Sequence, residues 1–410
     1  MASGIGDRAG VTRRESLALA SGLALTASGL GAARAQTSGA PVRVGGTLAL
    51  TGPLAQTGAI HKVVGEIFIA QANKAGGMMG RPIEWVLLDD QSKPDLARTL
   101  YERLITVDKV DLLMGPYATA NILSAIAVAQ RFNKVLVHHT FGIPKLANYD
   151  KHFPAWPLGA EPEKTMPAAV YDALASAGKA PKTVAIVTSK FPSVQFIAAG
   201  AREVAKQRGI TEALYLEFEF GNRDFGPIAA RVREANADLL FMGAIGLEAS
   251  QLLEALDKLN YQPKNHYYVY PTPGPLAASP LGANALAATA YEDLAPLNSS
   301  PTAQEFSKLF HAAATSAKLP YAEPDTQAGT SYAAWQMLTQ AVNATKSLDD
   351  DAIAKYLKTN GADTIVGKYS FGGSNNYGPD LMKVKQVQGG AWNIVWPKET
   401  ATPGKAIVAK

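Results

Sequence analysis

From residue 42 onward, short β-branched apolar runs alternate with longer stretches of helical periodicity, and after about residue 160 the alternation begins again. In the first series residues 44–50, 83–88, 110–114 and 135–139 read as buried strands, with helices expected over 61–74, 95–107 and 121–132. Val63, Val64, Ile67, Phe68 and Ala70 carry the helical spacing of the first of these, and Gly76-Gly77 end it by supplying left-handed backbone. In the second series helices are expected over 167–178, 194–207, 225–233 and 248–259, with strands over 184–188, 213–220, 239–243 and 267–270. Strand and helix repeated with short turns is the pattern of a doubly wound parallel sheet, so the fold class is α/β. A single core stops growing well before 410 residues, so two such sheets form two lobes. Helical patterns over 302–318, 331–345 and 351–359, and strands near 369–371 and 382–388, are too few for a third domain. They are expected to return to both lobes, which leaves a hinged cleft between them.

Composition narrows the class further. Hydrophobic residues make up 47% and charged residues 18% of the chain, which fits a globular protein rather than a disordered one. Lys and Arg number 39 against 35 Asp and Glu, interspersed, so no nucleic-acid partner is expected. There are no cysteines, which excludes disulfides, thiolate metal sites and cysteine nucleophiles, and leaves the compartment open.

The compartment is read from residues 1–35. Arg13-Arg14 followed by Ser16-Leu17, an Ala/Leu/Gly-rich apolar run and Ala33-Arg34-Ala35 form an export signal of twin-arginine type, cleaved after Ala35. An ordinary secretory signal with a positive start is the alternative, and it has the same destination, the periplasm. Cleavage removes four arginines and two acidic residues, leaving a net charge near +2, too small to steer a polyanion. No later apolar run reaches the length of a membrane span.

Motifs of catalysis are absent: no phosphate loop, no G-x-G-x-x-G, no H-E-x-x-H and no G-x-S-x-G. His138-His139 is the one histidine pair. Neighbours in a strand face opposite ways and do not readily chelate one metal, so no metal, cofactor or catalytic residue is assigned. Asp89-Asp90 and Asp224 read as helix caps. Pro271-Thr272-Pro273-Gly274-Pro275 reads as a rigid loop at a strand's carboxyl end, where this architecture places ligands. Gly115 to Asn121 follows the third strand and opens a helix, so its N–H groups and the Thr119 hydroxyl face the crevice, an arrangement that holds a carboxylate without a basic side chain.

Leu50-Thr51-Gly52-Pro53-Leu54-Ala55-Gln56-Thr57-Gly58 resembles the first strand-to-helix loop of the periplasmic leucine/isoleucine/valine-binding proteins, the type I substrate-binding subunits of ABC importers. Further matches follow in the family's order: Asn73 to Gly77 with Gly80, Asp89-Asp90 to Pro94, Gly115 to Thr119, Asp224-Phe225, and Asp363 to Gly367. The resemblance implies a monomer that closes on a small-molecule ligand and docks on a membrane permease. It implies lobe I over 42–158 and 292–372, and lobe II over 159–291 and 373–400. It places the ligand carboxylate against Tyr117, Ala118 and Thr119 and against Thr140, Phe141 and Gly142, with Ser193, Ile245 and Thr272 at the other end.

Three residues depart from the family pattern. Gly142 replaces a hydroxyl residue, Ser193 stands for a tyrosine, and Thr272 stands where amino-acid binders carry the glutamate that pairs with the ammonium. An unpaired ammonium in a closed cleft is costly. The expected ligand is therefore an apolar or aromatic body carrying one carboxylate or amide, held among Tyr117, Phe141, Phe191, Phe196 and Tyr270. A branched-chain amino acid, with Glu248 as the substitute acid, is the alternative. From another class, the alternative is an exported α/β hydrolase using His138 or His139.

Overall fold

The structure is a computed structural model that describes residues 37–410, with Met1 and Gly4; the export signal and its cleavage site lie outside the described residues. The first series comprises β1 (Val42–Leu48), α1 (Ala55–Lys74), β2 (Ile83–Asp89), α2 (Pro94–Thr106), β3 (Leu112–Met114), α3 (Thr119–Arg131), β4 (Leu136–His138) and β5 (His152–Pro154). Its strands form an all-parallel sheet in the order β2-β1-β3-β4-β5. The second comprises α4 (Pro162–Ser176), β6 (Thr183–Ser189), α5 (Pro192–Gln207), β7 (Thr211–Phe218), α6 (Gly226–Ala235), β8 (Leu239–Gly246), α7 (Glu248–Asp257), β9 (Asn265–Pro271), α8 (Pro273–Ala278) and β10 (Leu286–Thr289). The chain then adds α9 (Pro301–Ser316), α10 (Thr326–Thr345), α11 (Asp350–Asn360), β11 (Ala362–Asp363) and β12 (Lys368–Tyr369), and ends with β13 (Lys383–Gln388) and β14 (Ala391–Trp396). The second sheet runs β14-β13-β10-β9-β8-β6-β7, with β13 and β14 antiparallel and the rest parallel.

Each sheet is covered on both faces, which is why central strands such as β3 and β8 are near-continuous apolar runs. Leu112 and Leu113 show the alternation. Leu112 joins Phe68, Phe306, Trp335 and Leu338 under α1, α9 and α10, whereas Leu113 joins Tyr101, Leu104 and Ile122 under α2 and α3. In the second sheet Ile186 packs with Val194 and Ile197 of α5, and its neighbours Ala185 and Val187 pack with Leu252 and Leu256 of α7. The chain passes between the sheets over 155–161, 290–300 and 370–382, three strands of a hinge. In both sheets the strand order reverses next to a central strand, at β1/β3 and at β6/β8, and the carboxyl ends there face the cleft.

Several expected elements differ in extent. The helix α4 begins at Pro162 and runs through Pro167. Pro167 leaves the Glu163 carbonyl without its helical donor. Gly200 of α5 lies directly against that carbonyl, where a Cβ would stand 2.0 Å from the oxygen. Strands β5, β10, β11 and β14 add to those expected, and the 271–275 loop turns into α8 after Thr272. Asp89 and Asp90 do not cap α2, whose N-cap is Lys93. Asp89 instead accepts N–H groups of Leu50, Thr51 and Gln91, and Asp90 accepts the Thr47 hydroxyl at 2.7 Å, so the pair shapes the loop after β1.

One buried ion pair ties the hinge to the second sheet. Lys385 Nζ of β13 lies 2.6 Å from Glu292 Oε1 in the middle crossing, with both side chains under 5% exposed. Glu292 Oε1 also accepts the Thr289 hydroxyl. Removing one partner leaves a buried charge uncompensated, so Lys385→Met is expected to cost about 3–5 kcal/mol in denaturant unfolding. Adding Glu292→Leu is expected to restore most of that loss; a double variant no more stable than the single one would show that the pair is not coupled.

Candidate functional site

The cleft is built from the carboxyl ends of both sheets. After β3, Gly115 allows the chain to pass close to β4, where a Cβ would stand 2.4 Å from that of His138. Ala118 then takes a positive φ of 77° and α3 starts at Thr119 with no side-chain cap. The N–H groups of its first turn are therefore left without intrahelical acceptors, at the positive end of the helix dipole.

Two hydroxyls tie this turn to the loop after β4. The Ala118 N–H donates to Thr140 Oγ1 at 3.3 Å, and the Gly142 N–H donates to Thr119 Oγ1 at 3.2 Å. A hydroxyl that accepts one N–H keeps its own proton to donate, so both threonines are set to present O–H groups to an anion. Phe141 departs from its expected place. It is wholly buried with Tyr101, Leu113 and Ile122 beneath α3, because Thr140 and Gly142 face the cleft and the residue between them must face away.

From the second lobe, Ser193 lies in the first turn of α5 and Ile245 at the end of β8. Tyr117, Ala118, Thr119, Thr140, Gly142, Ser193 and Ile245 share one chamber of about 310 Å³ with Trp156, Phe191, Tyr270 and Gln327. Thr272 is not among them. It lines two adjoining spaces, of about 530 Å³ towards the hinge and about 860 Å³ towards the cleft mouth, both of which also touch Tyr117. Trp156 and Gln327 are the site residues that sequence reasoning missed. Trp156 stands in the first hinge crossing, 5.6 Å edge-on from the Tyr270 ring. Gln327 opens α10, whose true start is signalled by the Asp325 cap rather than by the apolar periodicity that begins later.

The lobes are closed on each other. A Cβ built on Gly142 would stand 2.7 Å from Ser193 Cβ, so the missing side chain at 142 is what lets the two loops meet. Leu54, Tyr117 and Ala118 of the first lobe form one apolar cluster with Phe191, Ile245 and Ala288 of the second. Further out, Lys145 Nζ lies 4.2 Å from the centre of the Phe196 ring on α5, a cation–π contact across the cleft.

The remaining titratable candidates are occupied inside the lobes. His138 Nε2 bonds His152 Nδ1 at 2.9 Å, and His139 stacks on His61 at 4.0 Å. Burial holds the His139 imidazole down at about 3, so it is neutral. The Glu248 carboxylate accepts the Ile245 N–H and the Ser189 hydroxyl, each at 2.9 Å, and so positions the β8 end rather than offering a free acid. Burial pushes it up from 4.5 to about 7.

Two doubly wound lobes, three hinge crossings and a shared cleft with uncapped N–H donors define a two-lobe solute-binding protein of type I. The profile of the periplasmic binding protein family matches residues 41–391, and the chain belongs to that family. The leucine-, isoleucine-, valine-, threonine- and alanine-binding protein of Pseudomonas aeruginosa is 22% identical over 204 residues, 50% of this chain and 54% of that protein, so the chain spans about half of that relative. The Leu/Ile/Val-binding protein of Citrobacter freundii is 24% identical over 324 residues, 79% of this chain and 84% of that protein. Among solved structures, an ABC-transporter solute-binding protein from R. palustris in complex with benzoate superposes with a TM-score of 0.74 at 19% identity, covering 90% of this chain and 99% of that one.

Two outcomes follow from this geometry. Gly142→Ala is expected to wedge the Thr119 and Ser193 loops apart and to enlarge the radius of gyration in small-angle scattering; an unchanged profile would deny that this contact sets closure. For Glu248, the unfolded chain has released the proton by pH 4.5 while the folded chain holds it to about pH 7. Stability from this group therefore falls as pH rises through that window and is level above it. Glu248→Gln is expected to gain in melting temperature relative to wild type between pH 4.5 and 7, and no further at higher pH.

Proposed function

We propose that the protein is the periplasmic solute-binding subunit of an ABC importer, and that its cleft closes on a small apolar or aromatic ligand carrying a carboxylate or amide. The observation that carries this reading is the uncapped start of α3, with the two threonine hydroxyls beside it, opening into a chamber walled by Tyr117, Trp156, Phe191 and Tyr270. Such donors hold an anion without a basic side chain, and aromatic walls hold its body. Ser193, Ile245 and Thr272 shape the far side, and Thr272 supplies no charge for an α-ammonium. The related proteins that bind leucine, isoleucine and valine, and the structural neighbour that holds benzoate, span both ligand types.

The protein binds and releases its ligand without chemistry. His138 and His139, on which an exported hydrolase would depend, are at most 2% exposed and engaged with other rings. The chain acts as a monomer, needs no cofactor, is exported with its signal cleaved after Ala35, and docks on a permease when closed. Affinity comes from the difference between the ligand's contacts in the closed and open states.

Thermal melting separates the two ligand types. Benzoate and 4-methylpentanoate, at about 100 times their dissociation constants, are expected to stabilise by about 2.7 kcal/mol, a rise of several degrees, while leucine, isoleucine and valine leave the transition unmoved. A shift with the amino acids alone would overturn the ligand assignment and leave the transport role standing.

A further inference from the structure

The space on the hinge side of the carboxylate chamber has no assigned occupant. It measures about 530 Å³ and shares Tyr117, Tyr270 and Gln327 with that chamber, so a ligand extending past the aromatic walls enters it. Asp325 is the one side chain on its lining that can only accept. Asp325 is 3% exposed, and only its Oδ1 is engaged, by the N–H groups of Gln327 and Ala328; its Oδ2 has no donor among the described residues. Gln327 also lines the space, but its Oε1 is buried beside the His61 ring and does not serve as a free acceptor there. The one cation lining the space, Lys385, is already paired with Glu292 and lies 4.6 Å from the Trp392 ring. A buried acceptor without a donor is costly, and a ligand donor placed against Asp325 Oδ2 recovers that cost.

We infer that Asp325 forms a distal subsite that selects carboxylate ligands bearing a neutral O–H or N–H donor at the end remote from the carboxylate. A neutral donor is preferred to a cation because the Lys385 ammonium lines the same space. The position of this acid explains how Thr272 is tolerated: the free acceptor of this space is the cap of α10 in the first lobe, and Thr272 lines the same space from the second. The inference rests on the carboxylate reading proposed above.

The test is isothermal titration of the purified full chain with benzoate, 4-hydroxybenzoate and 4-aminobenzoate. The two donor-bearing ligands are expected to bind about tenfold more tightly than benzoate, the size of one hydrogen bond to a charged group. Asp325→Asn keeps an acceptor for the α10 cap and turns an amide N–H₂ towards the ligand. It is expected to bring the three affinities within about twofold while leaving benzoate binding and the ligand-free melting temperature unchanged. Gln327→Leu, which leaves the cap and Asp325 Oδ2 intact, is expected to keep the preference. Equal affinities in the wild type, or equal losses for all three ligands in Asp325→Asn, would overturn the subsite and leave the carboxylate reading in place. Failure of benzoate and both derivatives to bind would overturn the carboxylate reading, and the subsite with it.

Discussion

The cleft depends on two hydrogen bonds that join the loop after β3 to the loop after β4, from Ala118 N–H to Thr140 and from Gly142 N–H to Thr119. They hold Ala118 at a positive φ, which an alanine adopts only when its surroundings impose it. They also leave the α3 start uncapped. A serine or aspartate at position 118 would satisfy the first-turn donors from within the chain and remove the anion-binding end of the helix. The same bonds set the hydroxyl protons free to point outward, so one pair of contacts organises the backbone and the chemistry together.

Closure adds little new polar contact between the lobes. The seam is the apolar cluster of Leu54, Tyr117, Ala118, Phe191 and Ile245, the bare approach of Gly142 to Ser193, and the Lys145–Phe196 contact at the rim. An apolar seam is not directional, and it favours closure in proportion to the area it removes from water. The buried Lys385–Glu292 pair sits at the hinge instead of in the seam, where it ties the middle crossing to β13.

The doubly wound character of both lobes was legible because each strand is buried on two faces, which makes runs such as Leu112-Leu113-Met114 apolar without interruption. Elements that lack that signature were not legible. β5 is three residues beginning with His152, and β10 is four residues rich in alanine. β14 follows Gly389-Gly390, both at positive φ in the turn from β13, so its one local signal is a hairpin turn rather than an apolar run. At the site, the loop residues Tyr117 to Thr119, with Thr140 and Gly142, could be placed from strand-end logic and the family resemblance. Phe141 could not, since alternation within a loop is fixed only by the hydrogen bonds on either side of it. Gln327 was hidden because it is contributed by a helix 200 residues along the chain, and its role arises from folding rather than from any local pattern.

The division of polar groups between the lobes gives the cleft an order of events. On the reading proposed, the groups that recognise the ligand, Thr119, Thr140 and Asp325, all belong to elements packed on the first sheet. The second lobe contributes Phe191, Ile245 and Tyr270, with the small Ser193 and Thr272. A ligand can then make its directional hydrogen bonds on the first lobe while the cleft is open, and the second lobe covers what remains apolar. In amino-acid binders of this family the acid that pairs with the ammonium comes from the second lobe, so charge recognition waits for closure. Moving the acid to α10 separates the two steps: polar fit decides which molecule is held, and burial of aromatic surface decides how firmly the lobes shut on it.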